Sequence, residues 1–248
     1  MVRAANLDSL GRAEFGHAHR SQSQKRGSRA RTLLPRSPPA DLGARRLTAT
    51  RRFLAVSDEE DPQLLDDRTV TSLGQIDLLL GCGDLPAEYL DALATRYGVP
   101  LLFVRGNHDP PRPQGDYPLG GDLDGRVVEM AGLRIAGLEG AHWYRGGPQQ
   151  YREWQMSLKV LRLGLRLRRR PLDILLLHGP PAGVHEGTDL AHQGLRAVRR
   201  ATERWRPRLL LHGHVHPHGS LSQRDTTIGP TRVINVHGHR ILELELGL

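Results

Sequence analysis

The sequence contains a single cysteine, Cys82, among its 248 residues. An internal disulfide framework is therefore excluded, and we expect a reducing, cytoplasmic location. Aromatic residues make up 4% of the chain, and no apolar run approaches the ~20 residues that a membrane-spanning helix needs. The first residues are basic, but they lack an apolar segment long enough for a secretory signal. We therefore expect neither a membrane partner nor secretion.

Although the net charge of the whole chain is +8, most of the chain carries no excess of positive charge. Residues 1–52 hold 12 Lys and Arg against 3 Asp and Glu, which leaves 23 against 24 for the remaining residues. A groove that binds a polyanion needs positive charge in the folded body. We therefore do not expect a nucleic-acid partner for that body.

The N-terminal segment also lacks the periodic apolar pattern of a folded element. Residues 1–50 are dominated by Arg, Ser, Gly, Gln and Pro, so there is too little apolar surface to offset the entropy of ordering. This predicts a disordered basic extension over residues 1–50 and one domain over residues 51–248. The extension is either a tail that binds nucleic acid or an acidic surface, or a segment without a partner. The second is favoured because no aromatic or repeated motif accompanies the charge.

The rest of the chain contains five apolar runs that each end directly in polar residues, and their order with intervening helical segments is typical of an α/β fold with parallel strands. Parallel strands present their carboxyl ends at one edge of a sheet, where open sheets place their sites. The polar residues that follow the five runs are Asp58, Asp84, Asn107 with His108 and Asp109, His178, and His214 with His216.

These side chains are donors that suit divalent metals. Carboxylates, amide oxygens and imidazoles are the ligands used for Mn, Fe, Zn or Mg. In an extended His-x-His segment the two side chains point to the same face, so His214 and His216 can reach neighbouring ions. The pattern therefore predicts a metal site at the strand ends.

One helical segment lies apart from this pattern. A helix is expected from about Gln149 onward, with Trp154, Leu158, Leu161 and Leu165 at helical spacing. Arg and Lys residues occupy its opposite side, and a solvated helix face is a more common explanation for them than a membrane or nucleic-acid face.

From Phe53 to about His216, the ordered motifs resemble those of the calcineurin-like metallophosphoesterase superfamily. The motifs are Gly83-Asp84, Gly106-Asn107-His108-Asp109 and Gly213-His214-Val215-His216. The resemblance implies a four-layer α/β/β/α sandwich and a centre of two divalent metal ions. The candidate ions are Mn, Fe, Zn and Mg, and we expect Mn.

The resemblance also implies a role for each matching residue. Asp58 and His216 would bind the first metal, and Asp84 would bridge both metals. The second metal would take the remaining ligands Asn107, His178 and His214. His108 would be the catalytic histidine beside the leaving group, and Asp109 would orient it.

The sequence departs from the family pattern in its first motif. The family has Asp-x-His, whereas this chain has Asp58-Glu59-Glu60. Glu60 therefore stands where a first-metal histidine is expected, and it is a candidate ligand that would favour harder ions. The alternative, in which the side chain of Glu60 points to solvent, stays open.

Two classes of function are compatible with these residues. The first is a metallophosphoesterase, in which two metals and a bridging hydroxide hydrolyse a small phosphomonoester or a cyclic or other phosphodiester. The second is a metal- or nucleotide-binding module of the same fold with little or no activity. The presence of His108 beside nearly all of the ligands favours the enzyme, and the oligomeric state is left open.

Overall fold

The computed structural model describes residues 49–110, 120–168, 170–216 and 224–246. Residues 1–48 of the predicted extension lie outside these ranges. Thr50, at the end of the predicted extension, is the first residue of the first strand. None of the helices in the described ranges is both long enough and apolar enough to cross a bilayer.

The first half of the domain alternates strands and helices, as the sequence predicts. Its elements are β1 (Thr50–Ser57), a 3-10 helix (Pro62–Leu65), α1 (Asp67–Leu73), β2 (Leu78–Gly81), α2 (Ala87–Tyr97), β3 (Leu101–Phe103) and β4 (Gly120–Asp122). The second half contains β5 (Val127–Met130), β6 (Leu133–Leu138), β7 (Ala141–His142), β8 (Gln150–Tyr151), α3 (Glu153–Leu167), β9 (Ile174–Leu177), a 3-10 helix (Leu190–His192), α4 (Arg196–Trp205), β10 (Leu209–His212), β11 (Asp225–Ile228), β12 (Thr231–Asn235) and β13 (Gly238–Glu245).

The strands form two main sheets. The first has the order β13-β1-β2-β3-β4, in which β1 to β4 are parallel and β13 is antiparallel to β1. The second has the order β11-β12-β10-β9-β6-β5, with a parallel centre and antiparallel edge strands. The short strands β7 and β8 pair separately. The parallel arrangement predicted for the first three strands is therefore confirmed.

Alternating side chains place the two sheets between two helical layers. In β1, Phe53 and Ala55 belong to the core between the sheets, whereas Leu54 and Val56 face α2. A third core joins the second sheet to α3 and α4 through residues such as Leu175 and Leu163. The order of layers is α/β/β/α, as the resemblance implies, and it explains why the central strands are apolar on both faces.

The buried face of α3 is not the one that helical spacing suggested. Trp154, Leu158, Leu161 and Leu165 are 66%, 39%, 60% and 72% exposed, whereas Met156, Leu163 and Leu167 are buried. Lys159 lies on the inner side because its amine is paired with Asp124 at 2.8 Å and with Glu139 at 3.4 Å. The apolar face that the spacing suggested was therefore wrong, whereas Arg152, Arg162 and Arg166 are exposed as expected. Lys159 departs from its basic neighbours because it is neutralised by partners that are distant in sequence.

Candidate metal centre

The predicted ligands meet where the strands of both sheets end. Asp58 follows β1, Asp84 follows β2, and His214 follows β10, each within a few residues of the strand end. Their φ angles are +66°, +55° and +68°. Left-handed backbone is uncommon for residues with a side chain, and it concentrates at functional sites. At these three positions it turns the chain sharply at the strand end, where the ligands gather.

One cluster contains Asp84, His178 and His214, whose ligand atoms all lie within 4.8 Å of one another. The Nδ1 atom of His178 lies 2.8 Å from the carbonyl oxygen of Cys82, so the Nδ1–H donates to that carbonyl. The Nε2 atom then faces the Oδ1 of Asn107 at 3.0 Å and the Oδ2 of Asp84 at 3.3 Å. The hydrogen bond to Cys82 fixes the ring in the orientation in which Nε2 serves as a ligand.

Asn107 is held in position by Tyr144, which is not among the predicted site residues. The Nδ2 of Asn107 donates to the hydroxyl of Tyr144 at 3.1 Å, which leaves its Oδ1 directed at His178. Asn107 is 3% exposed. An amide oxygen held in this way adds a fourth donor to the cluster of Asp84, His178 and His214.

The other cluster contains Asp58, His216 and His237, again with ligand atoms within 4.8 Å of one another. It adjoins the first because both carboxylate oxygens of Asp58 accept the backbone N–H of His214, at 3.0 and 3.1 Å. We refer to Asp58, His216 and His237 as cluster 1, and to Asp84, His178 and His214 as cluster 2. Two adjacent sets of donors are the arrangement expected for a dinuclear centre.

The charges of Asp58 and His214 are those that metal binding requires. Burial by itself would raise the pKa of Asp58, but the neighbouring His237 and His178 and the hydrogen bonds from Ser57 and His214 lower it to about 2. Burial and the nearby His178 lower the pKa of His214 to about 4. At neutral pH the carboxylate is therefore ionised and the imidazole of His214 is neutral, as ligands must be.

The pKa of His178 is shifted in the opposite direction, and the cause of this shift supports a cation site. Burial would lower the pKa of His178, but the charges of Asp84 and Asp58 raise it to about 9. Its Nε2 faces two oxygen atoms, and such a pair of acceptors is satisfied by positive charge, either a proton or a metal ion. The donors present in cluster 2 therefore fit a divalent metal.

His108 and Asp109 lie beside cluster 2. The backbone N–H of His108 donates to the Oδ1 of Asp84 at 2.8 Å, and its side chain is exposed at a cavity of about 500 Å³. The Oδ2 of Asp109 accepts the backbone N–H groups of Asp84 at 3.0 Å and Gly106 at 2.7 Å. Asp109 thus holds the loop that carries His108, whereas its predicted contact with the imidazole stays a prediction.

Glu60 and His237 are the two residues for which sequence and structure differ. Glu60 is exposed and belongs to neither cluster, so the structure does not bring this predicted ligand to the site. His237, to which the sequence motifs assign no role, lies in cluster 1. A signal for it was present, because His237 follows β12 in the same way that the other ligands follow their strands.

Gly106 provides a test of how tightly cluster 2 is packed. A Cβ atom at this position would lie 2.6 Å from the Cε1 of His178 and closer still to the Oδ1 of Asp84. We expect Gly106→Ala to displace both ligands, lowering metal affinity and the melting temperature together. Gly164→Ala is the matched control, because its Cβ would make an ordinary contact, 3.5 Å from Trp205. Equal metal content and melting temperature in the two variants would contradict this packing.

Comparison with known families agrees with this geometry. Residues 52–238 match the calcineurin-like phosphoesterase superfamily domain. An uncharacterized protein of Haemophilus influenzae is 30% identical over 166 residues, which cover 56% of this chain and 72% of that protein. A lariat debranching enzyme of Schizosaccharomyces pombe is 31% identical over 117 residues, but the match covers 39% of this chain and only 25% of that enzyme.

Solved structures agree at the level of the fold. A structure of a Thermus thermophilus protein covers 80% of this chain and 100% of its own, with a TM-score of 0.57 and 17% identity. Another solved structure gives the same coverage with a TM-score of 0.58 and 18% identity. At such identities the likeness concerns the fold alone. The fold, the order of the motifs and the clustered donors are thus all consistent with the matched superfamily domain.

Proposed function

The chain belongs to the calcineurin-like phosphoesterase superfamily, and on that basis we propose that it is a metal-dependent hydrolase of a small phosphoester. One observation carries the proposal: clusters 1 and 2 adjoin at the strand ends, with His108 exposed beside Asp84. Stability alone does not explain why one polar side chain after another lies at the end of a buried strand, each next to another polar group. Hydrolysis at a dinuclear metal centre is the function that would use both clusters.

The chemistry follows from the donors. Two divalent ions held by these clusters would polarise the phosphoryl oxygens and lower the pKa of a water molecule to near neutrality. Asp84, directed at His178 in cluster 2 and linked to His108, is the proposed bridging carboxylate. Asn107 and His214 would complete the second site, and Asp58 and His216 would contribute to the first.

His108 has the position of a general acid. As water oxygen bonds to phosphorus and the ester P–O bond breaks, the leaving oxygen needs a proton. The imidazole of His108 would supply it from the rim of the cavity that Asp84 and Asp109 also line. Asp109 contributes by fixing the backbone of Gly106 and Asp84, so that His108 is presented at a constant position.

The size and charge of the surroundings favour a small substrate. The cavity beside His108 has a volume of about 500 Å³, within the range of ~300–1,000 Å³ for small-molecule sites. Its lining combines the polar groups of Asp84 and His108 with apolar side chains such as Leu90 and Phe103. Residues 53–248 carry no net positive charge to hold a polymeric anion. We propose a phosphomonoester or a small phosphodiester and, from the single cysteine, a cytoplasmic location.

A panel of chromogenic phosphomonoesters and phosphodiesters tests the proposal. The protein is stripped with a chelator and then reloaded with Mn²⁺, Mg²⁺, Fe²⁺ or Zn²⁺ in separate samples. We expect negligible hydrolysis after stripping and recovery with at least one metal, with Mn²⁺ the most effective. Binding of metal without turnover of any ester would instead favour the alternative, a metal- or nucleotide-binding module of the same fold.

A further inference from the structure

His237 lies where the chain passes from one sheet to the other. It occupies the connection between β12 of the second sheet and β13 of the first. Its imidazole packs against that of His216, with ring centroids 4.3 Å apart, and its Nδ1 lies 3.7 Å from the Oδ2 of Asp58. This places His237 in cluster 1 although its position in the chain is remote from the first motif.

The Nδ1 of His237 is a buried polar atom without a hydrogen bond. The side chain is 10% exposed, and 3.7 Å is too long for a hydrogen bond to Asp58. A buried nitrogen without a partner carries an uncompensated desolvation cost. Since Asp58 and His216 offer their own ligand atoms within 4.8 Å, a metal ion shared by the three side chains would remove this cost.

The other ring nitrogen has the partner that metal-binding histidines usually have. The Nε2 of His237 lies 3.4 Å from the Oε1 of Glu59. A histidine that ligates through one nitrogen commonly donates its other N–H to a carboxylate, which orients the ring and increases its basicity. Glu59, the residue after Asp58, is placed for that role.

The backbone of His237 is also fixed in position. Its N–H donates to the Oδ1 of Asn235 at 3.1 Å, and its carbonyl accepts from the guanidinium of Arg224. The Nδ2 of Asn235 donates to the carbonyl of Val215 at 2.7 Å, which connects the His237 turn to the residue before His216. Rigid support of this kind is what a metal ligand requires, because small displacements weaken coordination.

Glu60 lacks these properties. Its side chain is exposed, and it belongs to neither cluster. Among the described residues, His237 places beside Asp58 and His216 the imidazole that the first motif lacks.

We propose that His237 is the second imidazole ligand of the first metal, in place of the histidine that the Asp58-Glu59-Glu60 motif lacks. This inference rests on the proposed function, since it assigns a ligand within the same dinuclear centre. The first site would then take Asp58, His216 and His237 as donors, with Asp84 of cluster 2 as the proposed ligand shared with the second site. Two imidazoles shift its preference from Mg²⁺ toward Fe²⁺ or Zn²⁺, the reverse of what a Glu60 ligand would do.

Metal content tests the assignment without reference to activity. Full-length wild type, His237→Ala and His237→Gln are stripped, equilibrated with Mn²⁺ by dialysis, and measured by elemental analysis and titration calorimetry. We expect two metals per chain in the wild type and one in both variants. Glu59→Gln should keep two metals but bind the weaker one ~10–100-fold less tightly.

Two matched controls accompany these variants. His239→Ala removes a neighbouring imidazole whose Nδ1 lies 3.1 Å from Asp61, outside both clusters, and Glu60→Ala removes the residue of the first motif. Both should retain two metals. The glutamine variant at position 237 keeps most of the side-chain volume, so loss of metal from it cannot be ascribed to a cavity.

The outcomes separate this inference from the proposed function. Two metals with unchanged affinity in both His237 variants would overturn the assignment, while ester hydrolysis by the wild type would leave the proposed function standing. One metal in Glu60→Ala and two in the His237 variants would overturn it in favour of Glu60. A wild-type protein that binds no Mn²⁺ would overturn both.

Discussion

Asp84→Asn should abolish hydrolysis and remove metal at the same time. The Oδ2 of Asp84 lies 3.3 Å from the Nε2 of His178, and its Oδ1 accepts the N–H of His108. Asparagine has nearly the same shape but lacks the negative charge that the two cations would share. Loss of several kcal/mol of charge stabilisation corresponds to at least ~10³-fold in kcat. Elemental analysis and steady-state kinetics on the same samples measure both effects.

The variant has a second readout in the metal-free protein. Because the charge of Asp84 contributes to raising the pKa of His178 to about 9, the pKa should fall in Asp84→Asn, which an NMR titration detects. Asp225→Asn is the control: it removes a carboxylate paired with Arg232, 48% exposed, and should change neither metal content nor kcat. Two metals per chain in Asp84→Asn would show that Asp84 is not the bridging ligand.

His108→Ala should lower kcat by ~10²–10⁴-fold while both metals remain bound. The side chain of His108 belongs to neither cluster, and its link to Asp84 is made by the backbone N–H, which alanine keeps. The loss should be greatest for esters with poor leaving groups, because these depend most on protonation of the departing oxygen. Kinetics on a series of aryl and alkyl esters, together with metal analysis, measure the effect.

A comparison of leaving groups distinguishes an acid from a structural residue. If His108 merely supported the loop, all esters would lose activity by the same factor and the metal content would fall with it. His239→Ala, which removes an imidazole from outside both clusters, should leave every rate unchanged. Loss of metal in His108→Ala would contradict the separate roles of His108 and Asp84.

Much of the fold was predictable because its signals are local. The apolar runs of β1, β2, β3, β9 and β10 are buried on both faces, so they read as strands without knowledge of their partners. The hairpin of β5 and β6 was also predictable. Strands β4 and β11 have no such signal, because Gly120–Asp122 and Asp225–Ile228 are short edge strands with little apolar character.

The ligands of cluster 2 were predictable for the same reason. Asp84, Asn107, His178 and His214 each follow a parallel strand, and parallel strands bring such positions to one edge. The hydrogen bond from Asn107 to Tyr144 was not predictable, since it joins residues 37 apart with strands β4 to β7 between them.

The sequence by itself determined the central strands, the parallel arrangement of the first three and the donors at the strand ends, because apolar periodicity and strand-end position depend on residues near in the chain. Tertiary structure decided which of two candidates joins Asp58 and His216: Glu60, adjacent in sequence, stays outside, and His237 reaches cluster 1. It also decided the buried face of α3, where Asp124 and Glu139 neutralise Lys159. Both outcomes depend on groups that only folding brings within a few ångströms, where coordination and charge pairing act.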